Sequence, residues 1–185
     1  MNEAEWVELV AQRVKRPLRA SVIRVETGFR VPYGYEISAY NREEPESTVV
    51  RYETDLVLLE DLHDDRWKPR VVVEAKIGSI STHDAITYSH KAATHKAVHP
   101  YLRYGIMLGN RRNFPLPGRL YRHGTHFDFM ISFKSFEPTR TEMRRFLEVL
   151  RFEIEASQAL ERILYDSRRK DRDRYTVLHR KLELR

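Results

Sequence analysis

The 185-residue sequence contains no cysteine. This excludes a disulfide framework, thiol catalysis and a cysteine-ligated zinc site. It also contains no apolar run near the ~20 residues needed to span a bilayer. The first residues, Met1-Asn-Glu-Ala-Glu-Trp6, are acidic and lack the basic and apolar regions of a signal peptide. No internal repeat or low-complexity segment is present. The expectation is a cytoplasmic globular protein with no membrane partner.

Charge is abundant. Charged residues make up 32% of the chain against 41% hydrophobic, which allows a true core beneath a heavily charged surface. Lys and Arg number 33 and Asp and Glu 27, a net charge of +6. That excess favours a polyanionic partner, with ordinary solubility charge as the competing reading. The length suits one domain, or one domain plus an appendage.

Hydrophobic spacing predicts a helix over 3–15, carried by Trp6, Val7, Leu9, Val10 and Val14 and stopped by Pro17. Alternation predicts strands over 20–27 and 29–40, a polar loop over 41–47, then strands over 49–62 and 70–77. Ser81 or Thr82 caps a second helix, with Asp84 in its first turn, and Pro100 ends it near His99. A short buried strand over 104–108 follows, then an Arg-, Pro- and Gly-rich loop over 109–124 and a strand over 127–133. A long helix is expected over 139–167, with a stripe that includes Met143, Phe146, Leu150, Ile163 and Leu164. A charged segment over 168–174 and a last short element over 175–184 complete the chain. The fold class is α/β with a mixed sheet, and the helix between strands 70–77 and 104–108 forms a parallel crossover. Residues 1–135 form the core and 136–185 a helical extension that packs on it or forms a dimer interface.

Two strands carry charge where a buried strand should be apolar. Asp55 precedes Leu56-Val-Leu-Leu59, and Glu74 and Lys76 close a run of three valines. Strand side chains alternate faces, so Glu74 and Lys76 point one way and Ala75 the other. If the strands pair, Asp55 meets Glu74 and Lys76 on one face. Burying such charges is costly unless they pair or hold a metal. Carboxylate oxygens suit a hard cation such as Mg²⁺, with Mn²⁺ as a substitute, and the Ala75 carbonyl can reach the same ion. A metal so held can polarise a phosphodiester and supply hydroxide, with a lysine beside it orienting or deprotonating the water. The competing reading is a surface salt bridge among the three.

Asp, an 18-residue spacer and Glu-x-Lys at the end of an apolar strand resemble the PD-(D/E)XK nuclease superfamily. The resemblance covers roughly residues 3–108, with Thr54 where the family often has proline. It implies a restriction-endonuclease-like αβββαβ core in which Asp55, Glu74 and Lys76 are catalytic and Asp55, Glu74 and Ala75 hold metal. The implied activity is Mg²⁺-dependent endonuclease cleavage of double-stranded DNA, most like a type II restriction enzyme. A Holliday-junction resolvase and a non-catalytic DNA-binding subunit are the alternatives. A homodimer follows, since one site per chain cuts one strand.

Supporting residues are expected from three places. Family members often add a first-helix glutamate, here Glu8 and then Glu5. Glu53 shares Asp55's strand face by alternation, and Glu36 lies in the preceding strand. On the second helix Asp84, Tyr88, Lys91, His95 and His99 share one sector, and Tyr88 and Lys91, with His95 behind them, are the candidates to reach the site. A solvated polar face is the competing reading. No glutamate sits between His95 and His99 in HExxH fashion, which excludes that zinc motif. Arg111, Arg112, Arg119 and Arg122, with Phe114 and Tyr121, make the loop over 109–124 the candidate DNA contact.

Overall fold

The computed structural model describes residues 1–18, 22–112, 115–166 and 177–178. Its elements run α1 (Glu3–Leu18), β1 (Ile23–Tyr40), β2 (Pro45–Asp61), β3 (Trp67–Ile77), α2 (Thr82–Val98), β4 (Arg103–Gly109), α3 (Gly118–His123), β5 (Phe129–Ser132) and α4 (Arg140–Tyr165). The sheet order is β1-β2-β3-β4-β5. β1, β2 and β3 pair antiparallel, while β4 joins β3 and β5 joins β4 in parallel. The fold is therefore α/β with a five-stranded mixed sheet.

β3 and β4 are the centre of the sheet. Every residue from Arg70 to Ala75 and from Arg103 to Gly109 is buried. Continuous apolar runs of this kind mark strands covered on both faces. On one face, Leu56, Leu58, Val71, Val73, Ala75 and Met107 pack against Trp6, Val10 and Val14 of α1 and Met143, Phe146, Leu150 and Ile154 of α4. On the other, Val57, Leu59, Val72, Ile106 and Leu108 pack against Ala85 and Ala92 of α2 and Leu120 of α3. Each fully buried large apolar side chain stabilises by roughly 1.5–3 kcal/mol. The helices make three layers, and α4 shares the core of the sheet rather than standing beside it.

Local chemistry sets the ends. Ser81 and Asp84 form a reciprocal capping box at the start of α2, and Thr139 and Glu142 form another at the start of α4. Gly109 sits against the Trp6 indole so closely that a Cβ there would lie 2.7 Å from the ring. Trp6 Nε1 donates to the Phe136 carbonyl at 2.9 Å. These two contacts fix the first turn of α1 at the C-terminal end of β4.

Several expected boundaries move. Pro17 does not stop α1 but lies in its last turn, with only Leu18 following it in the helix. The two strands expected over 20–27 and 29–40 are one 18-residue strand. Gly28, at φ +62°, carries the chain through without ending it, and Pro32 is tolerated because β1 is an edge strand. The polar loop shrinks, because β2 begins at Pro45. The loop over 109–124 contains α3. Ile163 and Leu164 are exposed near the end of α4 rather than part of its buried stripe. Ala20, Phe114 and the segments 168–174 and 175–176 lie outside the described residues, as does all of the last expected element except 177–178.

Candidate active site

The β2–β3 ladder ends at Leu56↔Val73. One residue further, Asp55 and Glu74 follow on strands that no longer share a backbone bond. The amide of Ala75, which would continue the ladder, instead donates to Asp55 Oδ2 at 2.7 Å. The N–H and C=O of one strand residue point to the same neighbour. The Ala75 carbonyl therefore opens into the gap that Asp55 occupies.

Glu74 is 1% exposed. Its Oε1 accepts from the Tyr104 hydroxyl and pairs with Lys91 Nζ at 2.9 Å. Burial is the largest influence on it and drives its pKa up; Lys91 opposes that, Asp55 adds to it, and the carboxyl is pushed up to about 7. A carboxylate with two donors is still under-compensated there, because desolvation in the sheet outweighs both. The Tyr104 phenol, also buried and facing Glu74 and Asp55, is held well above its ordinary range.

Lys76 is half-buried at the mouth of this gap. Its Nζ lies 3.5 Å from Glu3 Oε1 and 5.9 Å above the Tyr88 ring. Burial alone lowers an ammonium's pKa, but Tyr88, Glu3 and Asp84 together raise that of Lys76 above its usual value. It is a standing cation. Glu3 also accepts from the Ile77 amide at 3.2 Å, so its carboxylate closes the end of β3.

The structure places the sequence candidates as follows. Asp55, Glu74 and Lys76 share the α2 face at the end of the ladder. Tyr88 and Lys91 reach them from α2. Lys91 Nζ lies 5.7 Å and 5.8 Å from the ring centres of Tyr88 and Tyr52, and it also donates to the Glu53 carbonyl at 2.9 Å. His95 sits one turn behind, fully buried. It bonds the Val31 carbonyl at 3.2 Å, stacks on Tyr104 with ring centres 5.6 Å apart, and meets Tyr52 edge-on. Its Nδ1 has no hydrogen-bond partner among the described residues, and burial lowers its pKa to about 4. His95 supports Tyr104 and does not touch the trio.

Other candidates lie elsewhere. Glu8 bonds Thr27 and Gln12, and Glu5 bonds Asn2 at the helix start. The α1 glutamate that meets the trio is Glu3. Glu53 gives only its carbonyl, while its carboxylate is exposed and 3.8 Å from Arg30. Tyr52 is the β2 residue whose ring faces α2. Glu36 is on an exposed stretch of β1. In the basic segment, Arg111 bonds the carbonyls of Gly78 and Pro115, and Arg119 bonds that of Ile80. These two brace the segment against the start of α2, whereas Arg112 and Arg122 are exposed.

Sequence reasoning missed Glu3 and Tyr104. The signal for Tyr104 was available: a tyrosine in an all-buried strand needs a partner for its hydroxyl. Glu3 left none, because the first residue of a helix belongs to no stripe.

The donor set fits a hard divalent ion. Asp55 Oδ1 and Glu74 Oε2 have no hydrogen-bond partner among the described residues, and the Ala75 carbonyl faces the same gap. Mg²⁺ commonly takes one or two carboxylates and completes its shell with water and substrate phosphate. Among the described residues no group of three or more His, Asp or Glu forms a metal cage. Among them, too, no helix is long and apolar enough to cross a membrane. The chain matches no protein-family model, and no curated protein matches it.

Proposed function

We propose that the protein is a Mg²⁺-dependent endodeoxyribonuclease that hydrolyses phosphodiester bonds in double-stranded DNA, acting as a homodimer of the restriction-endonuclease-like class. The observation that carries this reading is the placement of Asp55, Glu74 and Lys76 on one face of the sheet where the β2–β3 ladder ends. Asp55, Glu74 and the Ala75 carbonyl would hold the ion. When bound, such an ion polarises the phosphodiester and acidifies an attacking water.

The chain's own groups do the rest. Lys76, kept protonated by Glu3 and Tyr88, donates to the water or to a phosphate oxygen and offsets charge in the transition state. Its raised pKa argues for a donor rather than a proton acceptor. Glu3 holds Lys76 at the end of β3. Tyr104 fixes one oxygen of Glu74, which leaves the other for the ion. Arg112 and Arg122 are exposed for phosphate contacts, and Arg111 and Arg119 hold that segment in place.

A second reading rests on Lys91. Its ammonium already pairs with Glu74 at 2.9 Å, which suits a DNA-binding subunit of the same fold that has no turnover. Incubating the purified protein with supercoiled plasmid and Mg²⁺, beside an EDTA control, separates the two. Nicked or linear product only with metal is the expected result. DNA retention without cleavage at any metal concentration would select the binding subunit. Cleavage of four-way junctions but not of linear duplex would select a resolvase.

A further inference from the structure

The β1–β2 ribbon runs far beyond the sheet. All residues from 35 to 48 are exposed, and Tyr35, Ile37 and Tyr40 are 62%, 50% and 79% exposed. The hydrogen bonds of this arm's side chains stay within the arm: Ser38 to the Glu46 carbonyl, and Asn41 to the amides of Glu43 and Glu44. A lone two-stranded ribbon is marginal in water, and an exposed apolar set of this kind marks a contact surface. The arm is also acidic, with Glu36, Glu43, Glu44 and Glu46 against Arg42 alone, in a chain of net charge +6.

A surface of opposite character lies between α1 and α4. A groove of about 740 Å³ has Met143 and Leu147 in its lining, ringed by Arg16, Arg140, Arg144 and Arg151, with Glu148, which pairs with Arg145, as its one carboxylate. These four arginines are exposed and have no ion pair or hydrogen bond among the described residues. The groove is open to solvent rather than enclosed. It has room for an aromatic ring with its flanking chain.

We propose that this groove receives the acidic, aromatic arm of a second copy of the chain. The arm brings carboxylates for the arginines and Tyr40 or Ile37 for the apolar floor. A nucleic-acid backbone would satisfy the arginines but leave that floor uncovered. Exchange of arms about a two-fold axis makes the same contact twice and closes the assembly at two chains. The inference concerns assembly alone and stands whether or not the chain cuts DNA.

Sedimentation velocity of the full chain tests it, with Glu43→Arg/Glu44→Arg on the arm and Arg144→Glu/Arg151→Glu on the groove. All of these positions are solvent-exposed, and thermal melting checks that both variants remain folded. The wild type is expected to dimerise and each variant to dimerise at least roughly ten-fold more weakly, since like charges across an interface are strongly unfavourable. An equimolar mixture of the two variants is expected to restore the dimer, because each reversed arm then meets a reversed groove. The milder pair Tyr40→Ser and Arg144→Ala should each weaken it less. A wild type that stays monomeric, or variants and mixture that all dimerise like the wild type, would overturn the proposal. So would a groove variant with unchanged dimerisation that has lost affinity for a labelled DNA duplex, which would assign the groove to nucleic acid.

Discussion

The two ends of β3 and β4 both carry buried charge, and they handle it differently. At the N-terminal end, Arg103 pairs with Glu153 and lies 3.0 Å from Asp128, which also meets Lys96 at 2.7 Å. Arg70 beside it pairs with Glu60 and Glu161, and Lys68 pairs with Glu161 too. Glu161 is buried to a degree that alone would raise its pKa, yet Lys68 and Arg70 hold it below the usual range. Arg103, Lys96, Arg70 and Lys68 there meet as many carboxylates, burial still holds Glu153 above its usual range despite Arg103, and the ion pairs clamp α4 to the sheet. At the C-terminal end the balance fails. Glu74 has one cation and one phenol, and still sits near pH 7. The same strands thus place matched charge where the fold is fastened and a carboxylate in excess where a ligand can complete it. Buried ion pairs are weak evidence of stability, but a buried charge left alone is costly, so an unbalanced end points to a function.

This contrast can be broken by mutation. Asp55→Ala or Lys76→Ala should lower plasmid cleavage by roughly a hundred- to a thousand-fold. Their urea midpoints should stay close to that of the wild type, because neither side chain is fully buried. Arg103→Ala should do the reverse. It removes the cation that pairs with buried Glu153 and one of the two that meet Asp128, and a loss of about 3–5 kcal/mol in urea unfolding is expected, with cleavage per folded molecule retained. If Arg103→Ala were harmless to stability and Lys76→Ala were not, the two ends would have exchanged roles.

Glu74 and His95 give stability opposite dependences on pH. The folded Glu74 carboxyl binds its proton more tightly than the unfolded one. Its contribution therefore lowers stability as pH rises from about 4.5 to about 7. A shift of that size corresponds to roughly 3 kcal/mol. His95 acts in the opposite sense. Its folded pKa is near 4, so unfolding is favoured as pH falls from about 6.5 towards 4. The two slopes oppose one another through the overlap, and the wild type should vary little there. Glu74→Gln removes one slope, so its stability without divalent metal should rise relative to wild type at pH 8 and fall towards it at pH 5. A parallel pH profile for the two proteins would mean that the Glu74 carboxyl is already fully balanced.

The smallest expected effects separate the α1 glutamates. Glu3→Ala frees Lys76 and the Ile77 amide, and cleavage should fall several-fold, about 1 kcal/mol of transition-state stabilisation for one lost charged contact. Glu8→Ala removes a half-buried bond from Thr27 and an exposed one from Gln12 and should cost no more than about 1 kcal/mol in stability, with cleavage unchanged.

Much of this was legible in the sequence. The capped start of α2, the two apolar runs of β3 and β4 and their parallel crossover follow from spacing and turn chemistry. So does the placement of Asp55, Glu74 and Lys76 on one face, because period-two alternation holds over a short, straight stretch. Alternation fails further along β1 and β2. Val25 and Val31 have the same parity yet pack on opposite faces of the sheet. Gly28, with φ +62°, lies between them and lets the ribbon turn over. That is why Tyr52, and not the Glu53 carboxylate, meets Lys91. The Glu3–Lys76 contact and the choice of Glu74 as the partner of the Tyr104 hydroxyl join residues 73 and 30 positions apart, beyond the reach of any local pattern.

The most direct test of the central claim is the melting temperature of the wild type and Asp55→Ala in excess Mg²⁺ and in EDTA. A ligand that binds only the folded chain stabilises it by about 2.7 kcal/mol at a hundred times its Kd. The unbalanced end of the sheet predicts a rise with Mg²⁺ in the wild type, and none in Asp55→Ala. Equal melting of the wild type in Mg²⁺ and EDTA, or the same rise in both proteins, would contradict it.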